Sequence, residues 1–180
     1  MQFLQKTKNF IISLIILIIL ISSFFILKFA LQKEKIYTPK MIDNQIFTDF
    51  EVEELIEEKK VNFDSAFIGK NFYLINIWSS WCEPCKDESE YLLELKNDTS
   101  IKIIGINYKD KKKNAINFLK IYGNPFDQIF IDKQGTISIN FGAYGVPETF
   151  LISNDKKVLK KYIGPLNEKD IYNIKKITKN

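Results

Sequence analysis

Phe10 to Leu27 is a run of 18 residues without a charge, interrupted only by Ser13, Ser22 and Ser23. As a helix at about 1.5 Å per residue it spans roughly 27 Å, close to the hydrocarbon thickness of a bilayer. A helix that is apolar on every side has no face to give to water, which disfavours a buried soluble helix. The run is longer than a typical signal-peptide core. No small-x-small cleavage site follows it, since Ala30 stands alone two residues after Lys28. The segment reads as an uncleaved signal anchor. It divides the chain into residues 1–31, a cytoplasmic stub and transmembrane segment; 32–45, a polar linker; and 46–180, one domain of ordinary size.

The formal net charge of +4 follows this division. Residues 1–40 hold six lysines against Glu34, a net +5, while residues 41–180 hold 20 lysines and 21 acids, a net −1. A basic anchor is attached to a nearly neutral domain, so nucleic-acid binding loses its main support. Every basic residue is lysine, and the chain has no histidine. That removes serine–histidine and cysteine–histidine catalytic pairs, histidine metal sites and a histidine haem ligand. Two cysteines are too few for a four-thiolate zinc site or a disulfide-stapled mini-domain. Lys6, Lys8 and the amino terminus on one flank against Lys28, Lys33, Lys35 and Lys40 on the other leave the orientation undecided by charge.

Within the domain, residues 50–60 are acid-rich and read as a solvated helix or loop. Phe72–Trp78 is a nearly continuous apolar run, the pattern of a central strand covered on both faces. Glu83–Lys96 has helical spacing, with Glu88, Tyr91, Leu92 and Leu95 on one face. A second buried strand is expected at Ile101–Asn107. A helix with Ala115, Phe118, Leu119 and Tyr122 inward then ends at Gly123-Asn124-Pro125. A short strand at Gln128–Ile131 precedes a hairpin of Thr149–Ile152 and Val158–Ile163, and Asn167–Thr178 closes as a helix on Ile171, Ile174 and Ile177. The order β-α-β-α-β-β-α predicts an α/β sheet with helices on both sides.

The stretch Trp78-Ser79-Ser80-Trp81-Cys82-Glu83-Pro84-Cys85 falls where the first strand gives way to a helix. Cys82 lies near the first turn, where unpaired N–H groups and the helix dipole favour thiolate over thiol. Pro84 suits an early helical position, where its missing N–H is not needed. Cys85 comes one turn later, close enough to close a disulfide with Cys82. The pair supplies an attacking thiolate and a resolving thiol, the parts of thiol–disulfide exchange. Two reduced core cysteines and a copper(I) site on the two thiolates are the competing readings. Glu88, on the inner stripe three residues after Cys85, should be desolvated and hence raised in pKa. It would oppose ionisation of a nearby thiol and so tune proton transfer at Cys85.

This stretch resembles the thioredoxin-like superfamily. Tyr144-Gly145-Val146-Pro147-Glu148-Thr149-Phe150, with Asn107-Tyr108-Lys109-Asp110 and Gly123-Asn124-Pro125-Phe126 upstream, is similar to the cytochrome c biogenesis thiol:disulfide interchange proteins, the DsbE/CcmG group. The resemblance covers roughly residues 45–175. Glu83-Pro84 between the cysteines is also at home in the related ResA-type proteins.

The resemblance implies a thioredoxin-like fold, a central mixed sheet flanked by helices, and a membrane-anchored reductase on the periplasmic side of a bacterial inner membrane. It implies a cis peptide at Pro147, leaving the backbone of Val146 open to an extended substrate peptide. It also implies a functional acid at Glu88. Glu148 is assigned tuning or substrate contact, and Trp81 and Tyr144 are assigned to the substrate groove. The implied substrate is the Cys-x-x-Cys-His segment of apocytochrome c, or another cytochrome c maturation component. The electron donor would be a membrane protein of the DsbD/CcdA type, with no metal or organic cofactor. A ResA-type or general periplasmic reductase, a copper(I) chaperone and a non-catalytic scaffold are the alternatives.

Overall fold

A computed structural model describes residues 2–32 and 48–179. The expected linker at 32–45 lies, apart from Gln32, outside the described residues. The chain separates into two compact units, an N-terminal helix and an α/β domain.

The helix, α1 (Gln2–Gln32), contains an apolar span from Lys6 to Phe29 with a mean hydropathy of 3.2. Its side chains are exposed throughout that span. The hydroxyl of Ser22 donates to the carbonyl of Ile19 at 3.0 Å, so this polar group is satisfied within the helix. Length and composition are those of a single membrane crossing.

In chain order the domain comprises β1 (Glu51–Glu54), β2 (Lys60–Asn62), a 3₁₀ turn (Phe63–Ala66), β3 (Phe72–Trp78), α2 (Glu83–Asp87), α3 (Ser89–Lys96) and β4 (Ile101–Tyr108). There follow α4 (Lys112–Tyr122), β5 (Gln128–Asp132), α5 (Thr136–Asn140), β6 (Glu148–Ser153), β7 (Val158–Ile163) and α6 (Glu168–Thr178). One mixed sheet of order β2-β1-β5-β4-β3-β6-β7 runs through it. The neighbours β3, β4 and β5 are parallel, and the remaining pairs are antiparallel. Two successive crossovers step across the sheet in the same direction. Right-handed connections therefore put α3 and α4 on one face.

Alternation along β3 divides the core. Leu74 and Trp78 face the layer built by α3, α4 and α6, with Leu92, Leu95, Phe118, Ile171 and Ile174. Tyr73, Ile75 and Ile77 face the layer of Phe63, Ala66 and Phe141. Both faces are covered, which is why the β3 sequence is apolar at almost every position. Trp78 stacks on Phe126 at 5.3 Å between ring centroids and also meets Phe118 at 5.2 Å. Gly105 makes that stack possible: a Cβ there would lie 2.9 Å from both the Phe126 ring and Trp78 Nε1. Gly105→Ala is expected to lower stability by about 1–3 kcal/mol through overpacking, read as a reduced urea midpoint. An unchanged midpoint would show that the aromatic stack can move aside.

Three expectations are corrected. The acid-rich segment is not a helix, and only its 55–59 turn is a loop: Glu51–Glu54 is a strand that pairs with β5 and, through that turn, with β2. Val52 is buried between an exposed Glu51 and a half-buried Glu53, so outward acids conceal a strand. Glu83–Lys96 is not one helix, since Glu88 ends α2 and caps α3. Tyr122 is 36% exposed and stacks on Phe118 from the rim of the core. The short helix α5, absent from the sequence reading, is held by Asp132, which accepts from the backbone and hydroxyl of Ser138 at 2.8 and 2.7 Å.

Candidate active site

Cys82 and Cys85 form a disulfide, with an S–S distance of 2.05 Å. Both are almost fully buried, and both belong to the core layer under α3, α4 and α6. Cys82 is the N-cap of α2, and its Sγ accepts the Cys85 N–H at 3.2 Å. Pro84 occupies the first turn. A donor aimed at Sγ from the open end of a helix stabilises negative charge on that sulfur once the disulfide is reduced.

The loop carrying the cysteines is held by the loop after β4. Asp110 accepts from the Ser80 N–H at 2.7 Å, the Ser80 hydroxyl at 2.8 Å and the Asn107 side-chain amide at 3.1 Å. The Trp81 indole donates to the Lys109 carbonyl at 3.1 Å, and the Ser79 hydroxyl donates to the Tyr108 carbonyl. Trp81 is thus fixed by one edge while 58% of its surface is exposed beside Cys82. Along the chain Asp110 stands out only as the end of the Asn107-Tyr108-Lys109-Asp110 motif. Its work in the structure is to hold the approach to Cys82.

The Val146–Pro147 peptide is cis. Glu148 pairs with Ile77. Pro147 therefore falls opposite Trp78, the last residue of β3, and Val146 continues past it at the end of the sheet from which the cysteine loop departs. Val146 packs against the core layer that contains both cysteines. Glu148 is buried, and its Oε1 accepts the N–H groups of Tyr144 and Gly145 at 2.7 and 3.1 Å. Its Oε2 lies 2.6 Å from Lys161 Nζ. Lys161 also donates to the Gly142 carbonyl at 2.8 Å and sits 4.4 Å from the Tyr144 ring centroid. Glu148 and Lys161 therefore brace the loop before the proline, and Tyr144 projects from it, 56% exposed. Lys161 escaped the sequence reading because nothing local in β7 distinguishes it from its neighbouring lysines.

Glu88 is fully buried at the break between α2 and α3. Its Oε1 accepts from the Asn76 side-chain amide at 2.8 Å, and its Oε2 from the Leu166 N–H at 3.1 Å. Burial pushes its pKa up to about 7, and the two donors partly oppose that shift. The expected desolvation is thus present. Asn76, the polar interruption of the β3 run, is the partner that sequence reasoning passed over. Among the described residues, no group of three or more Cys, Asp or Glu side chains gathers as a metal site.

The Redoxin family model matches residues 42–177. The chain is 45% identical over 102 residues to thiol:disulfide interchange protein CycY of Rhizobium leguminosarum bv. viciae, covering 57% of this chain and 54% of that protein. It is 37% identical over 122 residues to DsbE of Vibrio cholerae, covering 68% and 65%. The match to thiol:disulfide interchange protein DsbE-2 of Pasteurella multocida is 33% over 163 residues, covering 90% and 84%. Against the first two relatives the chain thus spans between about half and two thirds of their length. The crystal structure of a DsbE thiol:disulfide interchange protein from Chlorobium tepidum shares the fold, with a TM-score of 0.63 at 20% identity, covering 76% of this chain and 95% of that one. The fold is thioredoxin-like, and the chain belongs to the Redoxin family, among its DsbE thiol:disulfide interchange proteins.

Proposed function

We propose that the protein is a membrane-anchored thiol–disulfide oxidoreductase that reduces the disulfide of an apocytochrome c haem-binding segment, Cys-x-x-Cys-His, before haem attachment. The observation that carries the reading is the N-cap cysteine pair, with Sγ of Cys82 on a helix-end donor and Glu88 buried three residues beyond Cys85. The similarity to DsbE and CycY proteins supports the same chemistry. In the reduced protein, the Cys82 thiolate attacks one sulfur of the substrate disulfide, and the other substrate sulfur leaves as thiolate. Cys85 gives up its proton and attacks Cys82 Sγ, releasing the second substrate thiolate. Two electrons pass to the substrate, and the Cys82–Cys85 disulfide remains.

Glu88 serves as the proton acceptor for Cys85, because a carboxyl that titrates near neutrality can both hold and release a proton there. Trp81 and Tyr144 flank the entrance as exposed aromatic contacts, and the Val146 backbone pairs with the extended peptide. Glu148 positions that strand segment by bracing the 144–145 backbone. A membrane thiol–disulfide transporter of the DsbD/CcdA type returns the electrons. Capture of substrate by a Cys85→Ser variant tests the assignment: cytochrome c maturation components should be bound through Cys82. Capture of many unrelated periplasmic proteins would instead make it a general reductase.

The domain faces the periplasm, where surroundings oxidise thiols and a tethered reductase has substrates. External protease added to intact spheroplasts is expected to digest the domain. A protected domain would refute this orientation.

A further inference from the structure

We infer that Asn76 is a positioning residue for exchange, holding the Glu88 carboxylate in a form that can take up the Cys85 proton. The inference rests on the proposed use of Glu88. Asn76 sits in β3 on the face shared with Leu74 and Trp78, and it is fully buried. Its single amide nitrogen makes two contacts, one to Glu88 Oε1 at 2.8 Å and one to Thr149 Oγ1 at 2.9 Å. Thr149 is its register partner on β6, one residue after Glu148 and two after Pro147. One side chain thus ties the α2–α3 break, where Glu88 lies, to the strand that begins at the cis-proline loop.

Stability does not account for an asparagine here. A polar residue in the centre of a strand buried on both faces carries a desolvation cost, and the Asn76 Oδ1 has no hydrogen-bond partner among the described residues. An apolar side chain would avoid both costs. What an apolar side chain lacks is the N–H aimed at Glu88. Burial alone favours the neutral acid, and the Asn76 donor favours the carboxylate. The donors to the Glu88 carboxyl are the Asn76 amide on β3 and the Leu166 N–H before α6. No charged group contributes to the shift. Hydrogen bonding therefore sets the balance between burial and ionisation.

The test follows the Glu88 carboxyl directly, by carbon NMR of the glutamate-labelled full chain in detergent micelles across pH 5 to 9. Asn76→Leu is expected to move the Glu88 midpoint upward by about one pH unit, the size of one hydrogen bond to a charged group. The pH profile of disulfide exchange should shift by the same amount. Thr149→Val, which leaves the bond to Glu88 in place, should shift both by less. Asn76→Asp provides a second, near-isosteric variant: two adjacent carboxyl groups should titrate in two steps, one of them well above the wild-type midpoint. A Glu88 midpoint unmoved in folded Asn76→Leu and Asn76→Asp overturns the inference, even where exchange still follows Glu88. A midpoint that moves while the exchange profile stays in place overturns it too, and removes Glu88 from the reaction.

Discussion

Cys85→Ser is expected to turn the protein into a covalent trap. The Cys82 thiolate can still open a substrate disulfide, since its activating contacts come from the α2 backbone and not from the Cys85 sulfur. The second step is lost, because a serine hydroxyl cannot displace the substrate from Cys82 at neutral pH. The mixed disulfide should therefore accumulate with one substrate per protein, visible by non-reducing electrophoresis and released by a small-molecule thiol. Cys82→Ser should form no adduct and reduce nothing, leaving exchange at the background rate. The two variants separate the roles: the same outcome for both would mean that the attacking and resolving sulfurs are not ordered as proposed. The N-cap position of Cys82 makes this order the expected one, because its Sγ accepts the Cys85 N–H and it lies at the loop end that Trp81 and Asp110 hold.

The second large effect concerns Glu88. Its carboxyl has a folded pKa near 7 against an ordinary value of 4.5. Between these values the folded protein binds a proton that the unfolded chain does not. Stability therefore falls as pH rises from about 4.5 to about 7 and levels off above that. The raised pKa corresponds to roughly 3 kcal/mol across this window. Glu88→Gln removes the ionisation, so the pH dependence over this interval should disappear. The variant should be more stable than the parent at pH 8, by about 1–3 kcal/mol, and close to it at pH 4.5. The glutamine amide cannot take a proton from Cys85, so exchange at pH 7 should slow by about 10²-fold. A gain in stability paired with a loss of rate is the signature of a charge buried for chemistry. Urea titrations at pH 4.5 and 8, with exchange rates at pH 7, supply both measurements. If the slope of stability with pH persists in Glu88→Gln, the buried ionisation belongs to another group.

Much of the domain was legible along the chain because its strongest signals are local. The β3 and β4 runs are apolar at nearly every position, since helices and loops cover both faces of the sheet centre. The closing helix announces itself by Asn167, whose side chain accepts from the N–H groups of Lys169 and Asp170 at 3.0 and 3.3 Å in a capping box. The first two strands were hidden. In Glu51–Glu54 three of four residues are acids, and the strand exists because β5 and β2 lie on either side of it. The helix break at Glu88 was equally invisible. Helical spacing continues through it, and the interruption coincides with a carboxyl held by partners from β3 and the loop before α6.

The chemistry divides in the same way. The membrane-length apolar helix, the cysteine pair at a strand-to-helix junction, and the acid on the inner stripe after it can all be read along the chain. Each is a matter of spacing within about one helical turn or one apolar run, which the chain carries locally. What surrounds them comes from contacts distant in sequence. Asn76 reaches Glu88 from 12 residues away, Leu166 reaches it from 78, Lys161 meets Glu148 across two strands, and Asp110 clamps Ser80 from the next loop. These partners set desolvation and hydrogen bonding. Ionisation depends on the three-dimensional neighbourhood of a group, so the same Glu88 that reads as a buried acid acquires its working proton affinity only once the sheet and helices have closed around it.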